Sequence, residues 1–375
     1  MNENKTIGIA TFFDDNFGTC LQAYALQTII NRLGYQSEII RYYRGTKHVQ
    51  TESRWKKLFR YSPSVVYKYF TQRAMIERKR TAFVKFRANH MTFSEDSYYR
   101  DSDLEGLENN YSAFVCGSDM IWSEDFQEDW KFLYLTYVSK NKCIAYAPSF
   151  GKNYLTEQNI RRCDSYIHDI GYLSCRELAG VELIKQKFGL EAAHVMDPTL
   201  LLSSDEWNRA IATKERLVKS KYNLVYCFLG TKNGREKIFK QIESQKDREL
   251  VFLSGADGKY KKNMYRGSAG PFEFVQMYRD AEFVVTDTFH GMLFAIIFHK
   301  PFVVLAKEPF GVSADRLKYT LSSLGLEDRY IQYDTIIDEK YLYLDYTPVI
   351  QKQKKMTNAS LAYLELSLKN ATRNG

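Results

Sequence analysis

The 375-residue chain has no CxxC pair, no His, Cys, Asp or Glu cluster at metal-ligand spacing, and no apolar run near the roughly 20 residues that cross a bilayer. Neither a metal nor a cofactor is therefore expected. Its six cysteines, Cys20, Cys116, Cys143, Cys163, Cys175 and Cys227, stand singly in apolar or mixed surroundings and read as reduced, buried and inert. No secretory leader precedes the first apolar strand, which predicts a cytoplasmic protein. Low-complexity tracts, disordered composition and internal repeats are also missing.

What remains is ordinary globular material, 45% hydrophobic and 26% charged, in a chain longer than the roughly 250–300 residues at which single cores stop growing. Two domains follow. The 28 tyrosines and 24 phenylalanines suit either a generous core or surfaces that stack on sugars or bases. The net charge of +8 is concentrated: from Arg54 to Arg87 there are eleven Lys or Arg against one acid, Glu77, interleaved with aromatics. Such a segment suits either a solvated helical face or an anionic membrane surface. No nucleic-acid module accompanies it, so nucleic acid is not expected as a partner.

Apolar strand-like runs alternate with helical patterns: Ile7–Phe12, Ser37–Tyr42, Ala113–Cys116, Cys143–Ala147, Tyr172–Cys175 and His194–Met196, then Asn223–Leu229, Glu249–Ser254, Glu282–Thr286, Phe302–Leu305 and Tyr330–Tyr333. This pattern predicts an α/β fold with two parallel-sheet, Rossmann-like halves. The hinge falls at Asp197–Trp207, where Pro198 stops a strand. The expected units are an N-terminal lobe, 1–205, carrying a basic helical excursion over 54–100; a C-terminal lobe, 206–355; and a last helix in 356–375 that packs back on the first lobe.

Ligands in open α/β sheets bind at the carboxyl ends of strands, and four such junctions are unusually polar. In "DDNFGTCLQAY", Gly18 permits close backbone approach after Asn16; the turn is neither GxGxxG nor a Walker loop, so no dinucleotide is expected. "FVCGSDMIW" places Ser118 and Asp119 at a sheet rim with Trp122 as a flat apolar platform, an arrangement that suits a sugar or, more plainly, a helix cap. "YLSCREL" puts Arg176 where it grips a carboxylate or phosphate, or else pairs with Glu177. "VVTDTFHGMLFAII" carries the strongest signal: His290 at a helix start, Asp287 placed to orient its ring, Thr288 and Phe289 between them, and the amides of Gly291 and Met292 placed to receive a phosphate.

Together these stretches resemble the polysaccharide pyruvyl transferase family. The resemblance rests on "NFGTCLQAYALQ" with "LGY" behind it, "CGSDMIW", "SCREL", "MDPTLLLSSDEW", "TDTFHGMLFAIIFHKPFV" and "DRLKYTLSSLGLEDR", in order from Asn16 to Arg329. It implies a GT-B-like fold with the active site in the interlobe cleft, and transfer of a pyruvyl unit from phosphoenolpyruvate to two sugar hydroxyls as a cyclic ketal, without a metal. No arginine stands between Val285 and Gly291, so the resemblance leaves Arg176 and Arg316 to hold the donor's anionic groups, with Thr288, Phe289, Gly291 and Met292. His290, Asp119 and Asp287 would be catalytic; Asn16, Gly18, Ser118 and Trp122 would line the acceptor side.

The expected acceptor is a sugar of a cell-surface or capsular polysaccharide precursor, with a lipid link and attachment to the inner membrane face left open. Two alternatives stand beside this reading. One is a glycosyltransferase on the same scaffold using a nucleotide sugar, for which Glu308 is the candidate ribose-binding carboxylate. The other is a non-catalytic glycan-binding or scaffold protein.

Overall fold

A computed structural model describes residues 6–43, 63–126, 130–228, 235–244, 247–254, 263–265, 269–306 and 314–373. The start of the basic segment, 54–62, and Glu308 lie outside the described residues. Two five-stranded sheets, all of whose pairings are parallel, dominate the fold. The first has the order β3-β2-β1-β4-β5, from β1 (Thr6–Ala10), β2 (Gln36–Tyr42), β3 (Phe93–Tyr98), β4 (Ala113–Cys116) and β5 (Cys143–Ala145). A two-stranded ladder of β6 (Ser174–Cys175) and β7 (Ala193–His194) follows it. The second sheet has the order β12-β11-β10-β8-β9, from β8 (Tyr222–Tyr226), β9 (Glu249–Ser254), β10 (Phe283–Thr286), β11 (Phe302–Leu305) and β12 (Tyr330–Ile331).

The central strands carry apolar side chains on both faces because crossover helices cover both sides of a parallel sheet. Every residue of β1, β4, β10 and β11 is accordingly buried. In β3, by contrast, "FSEDSY" has one fully buried residue, Ser94, and it pairs only with β2 at the sheet edge. Its polar composition hides it within the helical excursion expected over 54–100; the helix there, Pro63–His90, ends before it.

The two sheets share one apolar core between them, and each half packs a second cluster of its own. Phe17, the first residue of helix Phe17–Arg32, stacks on Phe274 at 4.7 Å and meets Tyr226 at 6.1 Å, both from the second half of the chain. Trp207 bridges Tyr24 and Phe294 at 5.7 and 5.2 Å. Helix Pro63–His90 joins the same seam: Phe83 lies 5.3 Å from Phe17, Phe86 lies 4.8 Å from Phe272, and Lys79 Nζ stands 4.8 Å over the Phe17 ring. Part of the basic segment is thus spent on internal packing. An apolar interface of this kind resists free lobe motion.

The last helix, Thr347–Ala371, begins nine residues before the expected 356 and ties the halves together. Near its start Tyr346 donates to Lys300 O (2.7 Å); farther along, Ser360 Oγ accepts from Met196 N–H (2.9 Å) and Tyr363 donates to Ala145 O (3.0 Å) on the first sheet. Among the described residues no helix is long and apolar enough to cross a membrane.

Candidate functional site

Two helices, one from each half of the chain, begin at the same place. Asn16 caps helix Phe17–Arg32: its backbone is extended and its Oδ1 accepts from Gly18 N–H (2.9 Å) and Thr19 N–H (3.4 Å). Thr288 caps helix Phe289–Ile297 in the same manner, its Oγ1 accepting from Gly291 N–H at 3.0 Å. Between these caps lies a cavity of about 140 Å³, lined by Asn16, Gly18, Thr19, Asp119, Met120, Tyr226, Phe228, Thr288, Phe289, His290 and Arg316.

His290 enters it from the second half, with its side chain 12% exposed. Its Nδ1 fills the space that a Cβ on Gly18 would need, while its Nε2 is buried without a hydrogen-bond partner, 3.5 Å from Asp197 Oδ2. That separation is an ion-pair distance, too long for a good hydrogen bond. Opposite, Asp119 adopts a left-handed backbone (φ 71°) that turns its carboxylate to the cavity; Oδ2 accepts from Thr19 Oγ1 (2.9 Å) and Oδ1 from Met120 N–H (2.9 Å).

Behind the cavity sits a buried charge network. Arg176, with its side chain 2% exposed, donates through Nη1 to Asp197 Oδ2 (2.9 Å) and through Nε to Glu177 Oε1 (3.0 Å), with Asp119 at 3.9 Å. Burial opposes its charge, yet Glu177, Asp197 and Asp119 hold the guanidinium more firmly ionised than usual. Burial likewise pushes the Asp197 carboxyl up, and His290 and then Arg176 pull it down further, to well below the usual carboxylate range.

Arg316 feels the same three carboxylates, Glu177, Asp119 and Asp197, but less strongly than it feels its own burial and the like charge of Arg176. Its guanidinium stands 5.3 Å over the Phe289 ring, which Arg176 also approaches at 4.4 Å, and its Nε is buried without a partner. Burial first, then the like charge of Arg176, lowers its pKa to about 10. The cavity therefore contains a largely desolvated cation that forms no ion pair among the described residues, which suits an anion site.

Seven of the sequence-predicted residues meet here: Asn16, Gly18, Asp119, Thr288, Phe289, His290 and Arg316. The others are placed differently. Trp122 is no platform; it is fully buried and stacks on Tyr134 at 4.8 Å, because the turn after β4 directs it into the first lobe's core. Ser118 is also fully buried, its Oγ donating to Ala147 O at 3.0 Å. Asp287 does not take up the expected place beside the ring: its buried carboxylate pairs with Arg235 Nη1 (2.7 Å) and accepts from Phe228 N–H (2.8 Å), and the carboxylate facing His290 is Asp197. The amides of Gly291 and Met292 are already taken by Thr288 Oγ1 and Thr288 O, so they are not free for a phosphate. Arg176 does not line the cavity: its Nη1 and Nε are engaged by Asp197 and Glu177, and its Nη2 is buried without a partner.

Sequence reasoning missed Asp197, Thr19 and Tyr226. Asp197 had a signal, an Asp-Pro pair after a strand, which reads equally as a hinge. Among the described residues no three His, Cys, Asp or Glu side chains gather as a metal-ligand cluster.

The model of the polysaccharide pyruvyl transferase family matches residues 16–308. No curated protein matches the chain in sequence. Among solved structures, a UDP-N-acetylglucosamine 2-epimerase is similar at 9% identity and a TM-score of 0.52, over 97% of this chain and 95% of that one. The UDP-GlcNAc 2-epimerase from Neisseria meningitidis (10%, TM-score 0.48, 97% and 100%) and the wall teichoic acid polymerase TagF (11%, TM-score 0.49, 99% and 89%) also resemble it. At such identities the likeness is one of fold, the two-lobed GT-B type.

Proposed function

The chain belongs to the polysaccharide pyruvyl transferase family, and we propose that it moves a pyruvyl unit from phosphoenolpyruvate to two hydroxyls of one sugar in a cell-surface or capsular polysaccharide precursor, as a cyclic ketal. The acceptor is free or lipid-linked, met on the cytoplasmic side. The observation that carries this reading is Arg316: a guanidinium with a buried, unpartnered Nε and no ion pair among the described residues, lining with His290 a cavity of about 140 Å³. A site of that size suits a small polyanion. Drug-sized ligands occupy roughly 300–1,000 Å³.

In this reading the C-terminal lobe holds the donor through Arg316, Thr288 and the Phe289 ring, and the N-terminal lobe presents the acceptor through Asn16, Gly18 and Asp119. His290 delivers a proton to the methylene carbon of phosphoenolpyruvate, leaving a cationic carbon that still bears carboxylate and phosphate. A sugar hydroxyl attacks that carbon while Asp119 takes its proton. The second hydroxyl then displaces inorganic phosphate and closes the ketal, its proton leaving with the phosphate or returning to His290. Arg316 stabilises the phosphate in both states and favours its departure as charge collects on it.

Thermal unfolding tests the donor. Phosphoenolpyruvate at about 100 times its dissociation constant should stabilise the protein by about 2.7 kcal/mol, and UDP-N-acetylglucosamine should not. Stabilisation by the nucleotide sugar alone would favour the glycosyltransferase reading.

A further inference from the structure

His290 has two ring nitrogens, and the structure gives them different surroundings. Nε2 faces Asp197 Oδ2 at 3.5 Å in a spot closed to solvent. Nδ1 lies against Gly18, a residue that lines the cavity. Asp197 is fixed from three sides: Oδ1 accepts from Thr199 N–H (3.0 Å) and Thr199 Oγ1 (2.7 Å), and Oδ2 accepts from Arg176 Nη1 (2.9 Å), with Ser118 Oγ at 3.4 Å. An ionised carboxylate only accepts hydrogen bonds. A bare lone pair on Nε2 would therefore face a second acceptor in a buried place, and a proton on Nε2 removes that conflict.

At the other nitrogen no hydrogen-bond partner stands among the described residues. The Gly18 N–H is already bonded to Asn16 Oδ1 at 2.9 Å, so it makes no claim on Nδ1. We propose that Asp197 is a positioning residue that keeps a proton on Nε2 of His290 and leaves Nδ1, over Gly18, as the atom that exchanges a proton with substrate. The partner of one ring nitrogen decides the chemistry of the other. Asp197 and Gly18 come from the first half of the chain and His290 from the second, so the reactive tautomer exists only with the lobes docked. That Nδ1 serves phosphoenolpyruvate rests on the function proposed above; the tautomer itself does not.

The test is a nitrogen-15 NMR spectrum of the full chain labelled at histidine, recorded with the rings neutral and with the His290 signals assigned by their loss in His290→Gln. The expected pattern is protonated Nε2 and unprotonated Nδ1. A protonated Nδ1 in the wild-type protein would overturn the proposal, whatever the donor proves to be. In the enzymatic arm, Asp197→Asn should lower kcat by at least about 10-fold, with the KM for phosphoenolpyruvate within about 3-fold, as loss of a partner that orients a histidine does. An unchanged kcat in the folded variant would equally overturn it. If that variant fails to fold, the wild-type spectrum decides alone.

Discussion

Gly18 and His290 share one space: the first atom a Cβ on Gly18 would meet is the imidazole Nδ1, with Cγ and Cε1 next. A residue at the start of one lobe's first helix is thus shaped by a side chain from the other lobe. The absence of a side chain at position 18 is what admits the catalytic candidate to the cleft.

Gly18→Ala should therefore push the imidazole off its position while leaving both sheets intact. A misplacement on the order of 1 Å costs about 100-fold in rate. Steady-state kinetics beside a circular dichroism melt checks this, and a folded variant of wild-type activity would contradict it.

Arg316 gives two effects of opposite sign. Burial and the like charge of Arg176 outweigh the pull of Glu177, Asp119 and Asp197 on its guanidinium, and its Nε is unpartnered, so Arg316→Met should stabilise the ligand-free protein by about 1–3 kcal/mol. The same change removes a charge-assisted hydrogen bond worth about 1.5–3 kcal/mol, weakening phosphoenolpyruvate at least about 10-fold. Denaturant unfolding and calorimetric titration read the two separately.

Asp197 predicts an acid limb of stability. Its carboxyl is held below the ordinary value of 3.8, so the folded state is stabilised at any pH above that value, and the contribution fades as pH falls through the folded pKa. Asp197→Asn should be clearly less stable than wild type at pH 7, and the difference should shrink below about pH 4. A difference independent of pH would mean that the carboxylate's charge is not what stabilises the fold there.

Much of this was legible beforehand. Ala113–Cys116, Glu249–Ser254 and Phe302–Leu305 are strands with the expected bounds, because short apolar runs between turn residues leave little else for the chain to form. His290, Asp119 and Gly18 were readable as polar groups at strand ends. The pairing of Asp197 with His290 was not: the two are 93 positions apart, and only docking of the lobes brings them together. Trp122 and Asp287 show the converse. Residue type and a rim position suggest function, yet whether a side chain turns outward or into the core is decided by packing around it, which local sequence does not report.

Trp122 follows from that correction. With its ring fully buried against Tyr134 and Phe150, Trp122→Ala should cost about 3–5 kcal/mol of stability, and Trp122→Phe should keep the acceptor KM. A raised acceptor KM in a stable Trp122→Phe protein would return this residue to the site.

The central claim is that the cleft between Asp119 and His290 joins phosphoenolpyruvate to a sugar. Mass spectrometry of a panel of galactose, mannose and N-acetylmannosamine glycosides incubated with enzyme and phosphoenolpyruvate tests it most directly. The account predicts that one acceptor gains the mass of pyruvic acid less one water, with one inorganic phosphate released per acceptor, and that His290→Ala abolishes both. Acceptors left unmodified with phosphoenolpyruvate but extended by a hexose or N-acetylhexosamine from a nucleotide sugar would contradict it.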